Sequence, residues 1–215
     1  MAIAPLNKFL TIAVPVAPGE QVIYKTPTGV SAILLYAQVA NVAAGSTYPS
    51  FTMKHRRLSK VGNTRDIRLI KDVEVPPNDA VIIIDGRLIL EKSALISDSV
   101  VIEGSQVGVV TISNCLYDET TGISTITTLT NHNFNVGDEI TMSGLEFSCT
   151  DSPGITTTIY PSPQVSFVVD EVIGITTFVT TAGVGAGITH TYVGGGHVGP
   201  LQLEFTCSIL ENSTS

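Results

Sequence analysis

The 215-residue chain is 43% hydrophobic but only 14% charged, well below the roughly 25% of an ordinary soluble domain, and it has no Trp. Thr, Val, Ile and Gly take the place of the Ala, Leu, Glu and Lys runs of a helical protein, so an all-β chain with enough apolar content for one large or two small domains is expected. No apolar run approaches the ~18 residues of a membrane-spanning helix, and Cys115, Cys149 and Cys207, without CxxC spacing, fit neither a disulfide framework nor a zinc site.

Taken in order, Phe9 to Val16 reads as a strand or an extended arm, and Glu20 to Thr26 as a strand closed by the turn Pro27-Thr28-Gly29. Val30 to Val39 is nearly continuous in apolar residues. It is long enough for a helix, but its neighbours favour a buried central strand. Phe51, Met53 and His55 then alternate with Thr52, Lys54 and Arg56 up to a Gly62-Asn63 hairpin turn. On the return strand Ile67, Leu69, Val73 and Val75 share a face, and Lys71 breaks the alternation as a bulge would. Pro76 to Asp79 is a turn, Val81 to Ile84 a short strand, Asp85-Gly86 a tight turn into Leu88-Ile89-Leu90, and Leu95 to Ile102 one more strand. Close-spaced strands with Pro/Gly turns are the pattern of a β-sandwich.

From about Val107 the texture changes. The tetrads starting at Gly122, Gly154, Gly174 and Gly187 read as turn-then-strand starts without a fixed period, so a solenoid is not supported. Val136 to Glu139 is a turn into Ile140-Thr141-Met142, Val165 to Val172 a strand, and Gly194-Gly195-Gly196 a loop. The last strand, Leu201 to Leu210, puts Leu201, Leu203, Phe205, Cys207 and Ile209 on one face. Together with Val107 to Ser113 it brackets the Gly/Thr-rich block. The expected organisation is therefore a split sandwich, 1–106 plus 199–215, completed by the C-terminal strand, with a small β module inserted at 107–198. Two domains in series is the alternative.

Charge is distributed unevenly. Up to Lys92 the chain has eleven cations and seven acids, 11 − 7 = +4, and from Ser93 it has twelve acids and no Lys or Arg, −12. This permits head-to-tail docking between copies, or reflects two unrelated modules. The cations concentrate in Lys54, Arg56, Arg57, Lys60, Arg65, Arg68 and Lys71, with Asp66 the only acid among them. On a two-stranded ribbon they form a candidate protein-docking surface or a solvated edge. Phosphate neutralisation is the weaker option, since no interleaved aromatic face supports base stacking. Tyr160, His190 and Tyr192 are candidate outward contacts in the Gly-rich loops.

No catalytic constellation emerges. Gly-x-Ser-x-Gly is absent, and His190 and His197 have no carboxylate or Cys at ligand spacing. Asp138-Glu139 and Asp170-Glu171 are adjacent, which on a strand turns the two side chains to opposite faces. No enzyme activity, cofactor or metal is expected. The start of the chain lacks a basic region followed by a long apolar run, so no signal peptide is expected and the cysteines are expected to be buried thiols in a reducing compartment.

The block Tyr117-Asp-Glu-Thr-Thr-Gly-Ile-Ser-Thr-Ile-Thr-Thr, then His132-Asn-Phe-Asn-Val-Gly-Asp-Glu-Ile-Thr-Met, with Ile155 to Pro161 and Ile188 to Gly196, resembles a module in virion structural proteins of tailed phages, especially contractile-tailed, T4-like marine cyanophages. The N-terminal part, through Pro27-Thr-Gly before Val30 and Leu88-Ile-Leu-Glu before Leu95, is more loosely similar to small β-sandwiches of phage neck, tail and fibre-attachment proteins. The resemblance implies a non-enzymatic virion component (neck, tail or capsid decoration) assembled in the host cytoplasm. Its partners would be copies of itself and other virion proteins, without direct nucleic-acid contact. A carbohydrate- or host-surface-binding module is the alternative, against which stands the absence of Trp.

Overall fold

The structure, a computed structural model, describes residues 7–59, 61–151, 154–160, 165–185 and 188–213. These residues form an all-β protein without a helix. The strands are β1 (Asn7–Pro15), β2 (Gly19–Lys25), β3 (Val30–Asn41), β4 (Ser50–Ser59), β5 (Thr64–Glu74), β6 (Ala80–Glu91), β7 (Ile96–Ser105), β8 (Val110–Tyr117) and β9 (Ile123–Thr128). There follow β10 (Glu139–Ser143), β11 (Leu145–Asp151), β12 (Gly154–Tyr160), β13 (Ser166–Gly174), β14 (Thr177–Thr181), β15 (Thr189–Gly194), β16 (His197–Pro200) and β17 (Leu203–Ser213). They fall into two compact units, one of residues 1–16, 20–105 and 202–215, the other of 17–19 and 106–201.

The first unit has two four-stranded sheets, in the orders β1-β17-β3-β6 and β2-β7-β4-β5. Period-2 patterning fixes the register. Leu10, Ile209, Leu34 and Leu88 lie opposite one another across the first sheet, as do Ile12, Cys207, Ala37 and Ile84, then Val14, Phe205, Val39 and Val81. These rows point into the core, where the Phe205 ring stacks on Phe51 of the second sheet with centroids 5.8 Å apart. β17 is a central strand. It pairs with β1 from Asn212 to Glu204 and with β3 from Ser213 to Leu203.

Two local expectations resolve differently here. Lys71 does lie at an irregularity. Two residues of β5, Lys71 and Asp72, oppose one of β4, Thr52, between Phe51↔Val73 and Met53↔Ile70, and Asp72 takes a positive φ of 49°. A second bulge follows at Leu69, so both Leu69 and Ile70 reach the core while Ile67 is exposed. Asp85-Gly86, by contrast, is not a hairpin turn. β6 runs unbroken from Ala80 to Glu91 because β3 offers one long partner; Asp85 pairs with Tyr36, and Gly86 and Arg87 oppose Leu35 as a bulge before Leu34↔Leu88.

The second unit is a six-stranded closed barrel, β10-β13-β14-β9-β8-β16, with a three-stranded sheet β12-β11-β15. Ile112, Ile126, Ile140, Met142, Leu145, Phe167, Phe178 and Val198 are among its core residues. Gly122 starts β9 from a positive φ of 74°, and a Cβ there would sit 2.5 Å from the carbonyl carbon of Gly183. The Gly174 tetrad departs from the turn-then-strand reading: Gly174 ends β13 and Ile175-Thr176 is the turn. Gly187 lies outside the described residues. The first strand of this unit begins at Val110, after a turn through Gly108 with a positive φ of 82°, and not at Val107.

Candidate functional sites

The charge polarity of the linear sequence does not survive folding. The first unit gathers all eleven Lys and Arg with eleven acids, 11 − 11 = 0, because Asp98, Glu103, Glu204 and Glu211 join it. The second unit has eight acids and no Lys or Arg, −8.

The basic ribbon is largely neutralised within its own sheet. Lys54 is buried and donates to Glu103 Oε2 at 2.7 Å and Glu20 Oε2 at 3.0 Å. Arg56 forks onto both oxygens of Asp66 at 2.7 Å and pairs with Glu20 at 2.6 Å. The hydrogen bonds from Arg56 hold the Glu20 and Asp66 carboxyls below their ordinary values. Arg57 forks onto Asp98 at 2.7 Å, and Asp98 is completely buried, also accepting from the Glu91 amide at 3.0 Å with His55 Nε2 at 3.3 Å. Burial pushes the Asp98 carboxyl upward, but the Arg57 hydrogen bonds and its other partners outweigh this and hold it low. Lys71 is exposed beside Asp72 at 3.1 Å. Arg65 and Arg68 are exposed, opposite Arg57 and Lys54 in the ladder. Lys60 lies outside the described residues. Of the seven cations, Arg65, Arg68 and Lys71 are thus the described ones that face solvent. Reversing Arg56 or Arg57 perturbs the sandwich itself.

A surface with no signal in charge patterning lies on the other sheet. On its solvent face Phe9, Leu210, Ile33 and Ile89 stand opposite one another across all four strands. Phe9 is 72% exposed and Ile89 58%. On the two central strands the other outward residues are Thr206, Ser208 and Asn212 on β17 and Ser31, Tyr36, Gln38 and Ala40 on β3, with Glu204 at the start of β17 the charged exception. A water-facing antiparallel sheet ordinarily alternates apolar-in with polar-out. The hydrophobic half of this signal was present in the run Val30 to Val39, whose alternate residues face outward.

The third site is in the acidic unit. Tyr117 (β8), Ser124 (β9), Phe147 (β11), Tyr160 (β12), Ala182 and His190 (β15) line a partly open cavity of about 100 Å³. Two of the three loop residues singled out from sequence, Tyr160 and His190, meet here. Tyr192 packs edge-on against Phe147 at 5.9 Å, but its hydroxyl donates to Gly195 O and it does not line the cavity. Tyr117 and Phe147 escaped the sequence reading because nothing in their spacing links segments thirty residues apart. Burial raises the Tyr160 phenol to about 12. His190 Nδ1 lies 2.7 Å from Cys149 Sγ, a thiol that burial pushes upward. Such a thiol is not activated as a nucleophile.

The paired acids serve as local braces. Asp138 accepts from the Asn135 amide, Glu139 from Ser166, and Asp170 from Thr181. No cluster of three metal-ligating side chains occurs among the described residues. His197 is exposed on β16.

No protein-family model matches the sequence, and no curated protein matches it. Among solved structures the chain is similar to the CBM22-1-CBM22-2 tandem domain of Paenibacillus barcinonensis Xyn10C, at 7% identity over 98% of this chain and 92% of that one, with a TM-score of 0.23. It is similar to the STIV MCP at 7% identity over 96% of each chain, TM-score 0.23. It is also similar to discoidin II of Dictyostelium discoideum at 14% identity over 83% and 72%, TM-score 0.20. Superpositions this loose carry no functional argument.

Proposed function

We propose that the chain is a non-enzymatic structural component of a tailed-phage virion, a neck, tail or decoration protein of the T4-like cyanophage kind. It acts by symmetric assembly with copies of itself and docking to other virion proteins. The observation that carries this reading is the apolar row Phe9–Leu210–Ile33–Ile89 across the outer face of the β1-β17-β3-β6 sheet, with the charges of that face (Glu204, Asp85, Glu91) lying off the row. Contiguous exposed apolar surface marks an interaction site. Four strands about 4.8 Å apart and nine residues long offer roughly 600 Å². Two such faces together bury about 1,200 Å², the lower end of the range for specific interfaces. A second copy, packed face to face about a two-fold axis, matches the surface to itself.

On this reading residues 106–201 are an acidic module inserted in the sequence of a neutral assembling sandwich. The module has eight acids and no Lys or Arg, which disfavours contact with phosphate backbones. The test is sedimentation of the full chain and of Ile89→Glu, a solvent-side change that leaves the core rows untouched. The wild type should self-associate, and the variant should do so at least about tenfold more weakly, with unchanged circular dichroism. A wild type that stays monomeric at every concentration, or equal association of both proteins, rejects the face as the assembly surface. Mass spectrometry of purified particles checks the virion assignment separately. The alternative, a carbohydrate- or host-surface-binding module, would use the cavity at Tyr160 and His190, and a glycan array read against His190→Ala tests it.

A further inference from the structure

We propose that the cavity walled by Tyr117, Phe147, Tyr160 and His190 is a binding site for one uncharged aromatic ring bearing a single polar substituent, a ligand of the phenol class. This site is separate from the sheet face that carries the assembly reading, and it stands or falls without it.

Size is the first argument. A cavity of about 100 Å³ is smaller than the 150 Å³ apolar cavity that admits benzene. Being partly open, it accepts a ring with one edge toward solvent. Close-packed interiors rarely leave a ring-sized space among large side chains.

The walls supply the second argument. Tyr117 and His190 meet at 5.5 Å and 60°, Phe147 and Tyr160 at 6.0 Å and 82°, and Phe147 and His190 at 6.5 Å and 83°. Rings set at such steep angles present both edges and faces to the space between them, the geometry in which a further ring packs favourably. Among the described residues no charged side chain lines the cavity, although the unit around it has eight acids.

The third argument is the inventory of polar atoms. The Tyr117 hydroxyl donates to Gly183 O at 2.7 Å and the Tyr160 hydroxyl to Ala182 O at 3.4 Å. The Ser124 hydroxyl is engaged with the Cys115 sulfur, and His190 Nδ1 with Cys149. His190 Nε2 makes no hydrogen bond to a described residue. His190 Nε2 is therefore the ring nitrogen left for a ligand, and the Tyr117 and Tyr160 oxygens, their protons already donated, can act toward a ligand only as acceptors. A pyranose brings several hydroxyls, more than these few groups can partner, and those left over would lose water without replacement. An aromatic ring with one hydroxyl loses little.

The full chain is titrated with phenol, with toluene and with methyl β-D-glucopyranoside, and amide shifts at Ser124, Phe147 and His190 are followed by NMR. Phenol should move these amides saturably, and the glucoside should not. His190→Phe keeps the ring and removes its free nitrogen, so phenol should weaken about tenfold, to the level of toluene, while toluene binding is unchanged. Ala182→Phe fills the space and should abolish both without lowering the thermal midpoint. The same variant identifies the source of the natural ring. Loss of self-association together with phenol binding assigns it to a side chain of a neighbouring copy, and retained association assigns it to a free small molecule. The proposal is overturned if millimolar phenol leaves the three amides unmoved, if the glucoside moves them in its place, or if His190→Phe keeps the preference for phenol over toluene.

Discussion

The buried Arg57–Asp98 fork allows a sharp test of what holds the sandwich together. In Arg57→Met, Asp98 loses two hydrogen bonds of 2.7 Å and keeps only the Glu91 amide and the His55 ring nitrogen. Removing one partner of a buried ion pair costs about 3–5 kcal/mol, mostly through the orphaned charge. The Arg57 side chain is 41% exposed whereas that of Asp98 is fully buried, so solvent weakens the pair and the lower end, about 3 kcal/mol, is expected. Asp98→Asn removes the charge from the buried partner and leaves an arginine that water can reach, for about 1–2 kcal/mol. The double variant should then be more stable than Arg57→Met alone by about 1 kcal/mol. The pH dependence follows with a definite sign. In the wild type the Asp98 carboxyl is held low, so its contribution is present above the unfolded value near 4 and lost as pH falls through the folded value. Without Arg57, burial dominates and raises the carboxyl, so the penalty fades as pH falls toward 4, and the gap between variant and wild type closes. Urea unfolding read by tyrosine fluorescence, with hydrogen exchange at β17 amides to assign the transition to the sandwich, measures both effects. Equal costs for the two single variants and strict additivity in the double would refute the orphan-charge argument.

Four further outcomes are expected. Phe205→Ala, at a fully buried ring stacked on Phe51, should cost the first unit about 3–5 kcal/mol in a denaturant titration. Gly122→Ala should destabilise the second unit by at least about 2 kcal/mol, from a positive φ of 74° and a Cβ driven against the Gly183 backbone, and amide exchange in β9 and β14 should report it. The first unit should lose stability as pH falls below about 4, as the depressed carboxyls of Glu20, Asp66 and Asp98 protonate; circular dichroism from pH 7 to 2 follows this loss. Ending the chain at Leu201 removes the strand between β1 and β3, so protease should digest the first unit while the barrel of the second stays resistant.

How far the fold was legible follows from range. Period-2 alternation and turn chemistry act over a few residues, and they placed β3, β4, the Gly62-Asn63 turn, the bulge near Lys71 and the inward face of β17. They failed where a distant strand overrides a local preference. Asp85-Gly86 has the composition of a hairpin turn, but continuous pairing of β6 along β3 leaves Asp85 paired and Gly86 in a bulge. Gly174-Ile175-Thr176 repeats the Gly-Ile-hydroxyl pattern of Gly122-Ile123-Ser124, yet β13 already occupies the Gly, so the Ile and Thr become the turn.

The candidate sites obey the same rule in the opposite direction, because each is defined by residues that only the fold brings together. Seven cations in eighteen residues look like a free basic surface in the chain. In the sheet Glu20 and Glu103 arrive from β2 and β7 to cover Lys54, and Asp98 from β7 covers Arg57. Counting charge along the chain, +4 then −12, predicts mutual attraction between halves, and counting it by unit, 0 and −8, removes the cationic partner. On the assembly reading proposed above, attraction between copies would come from apolar surface, and the row from Phe9 to Ile89 is the surface that could supply it. That row cannot be read from any one strand, since Phe9 and Leu210 are at opposite ends of the sequence and become neighbours only when β17 returns between β1 and β3. The strand that completes the core thus also completes the outward apolar row, which ties the row's formation to closure of the sandwich.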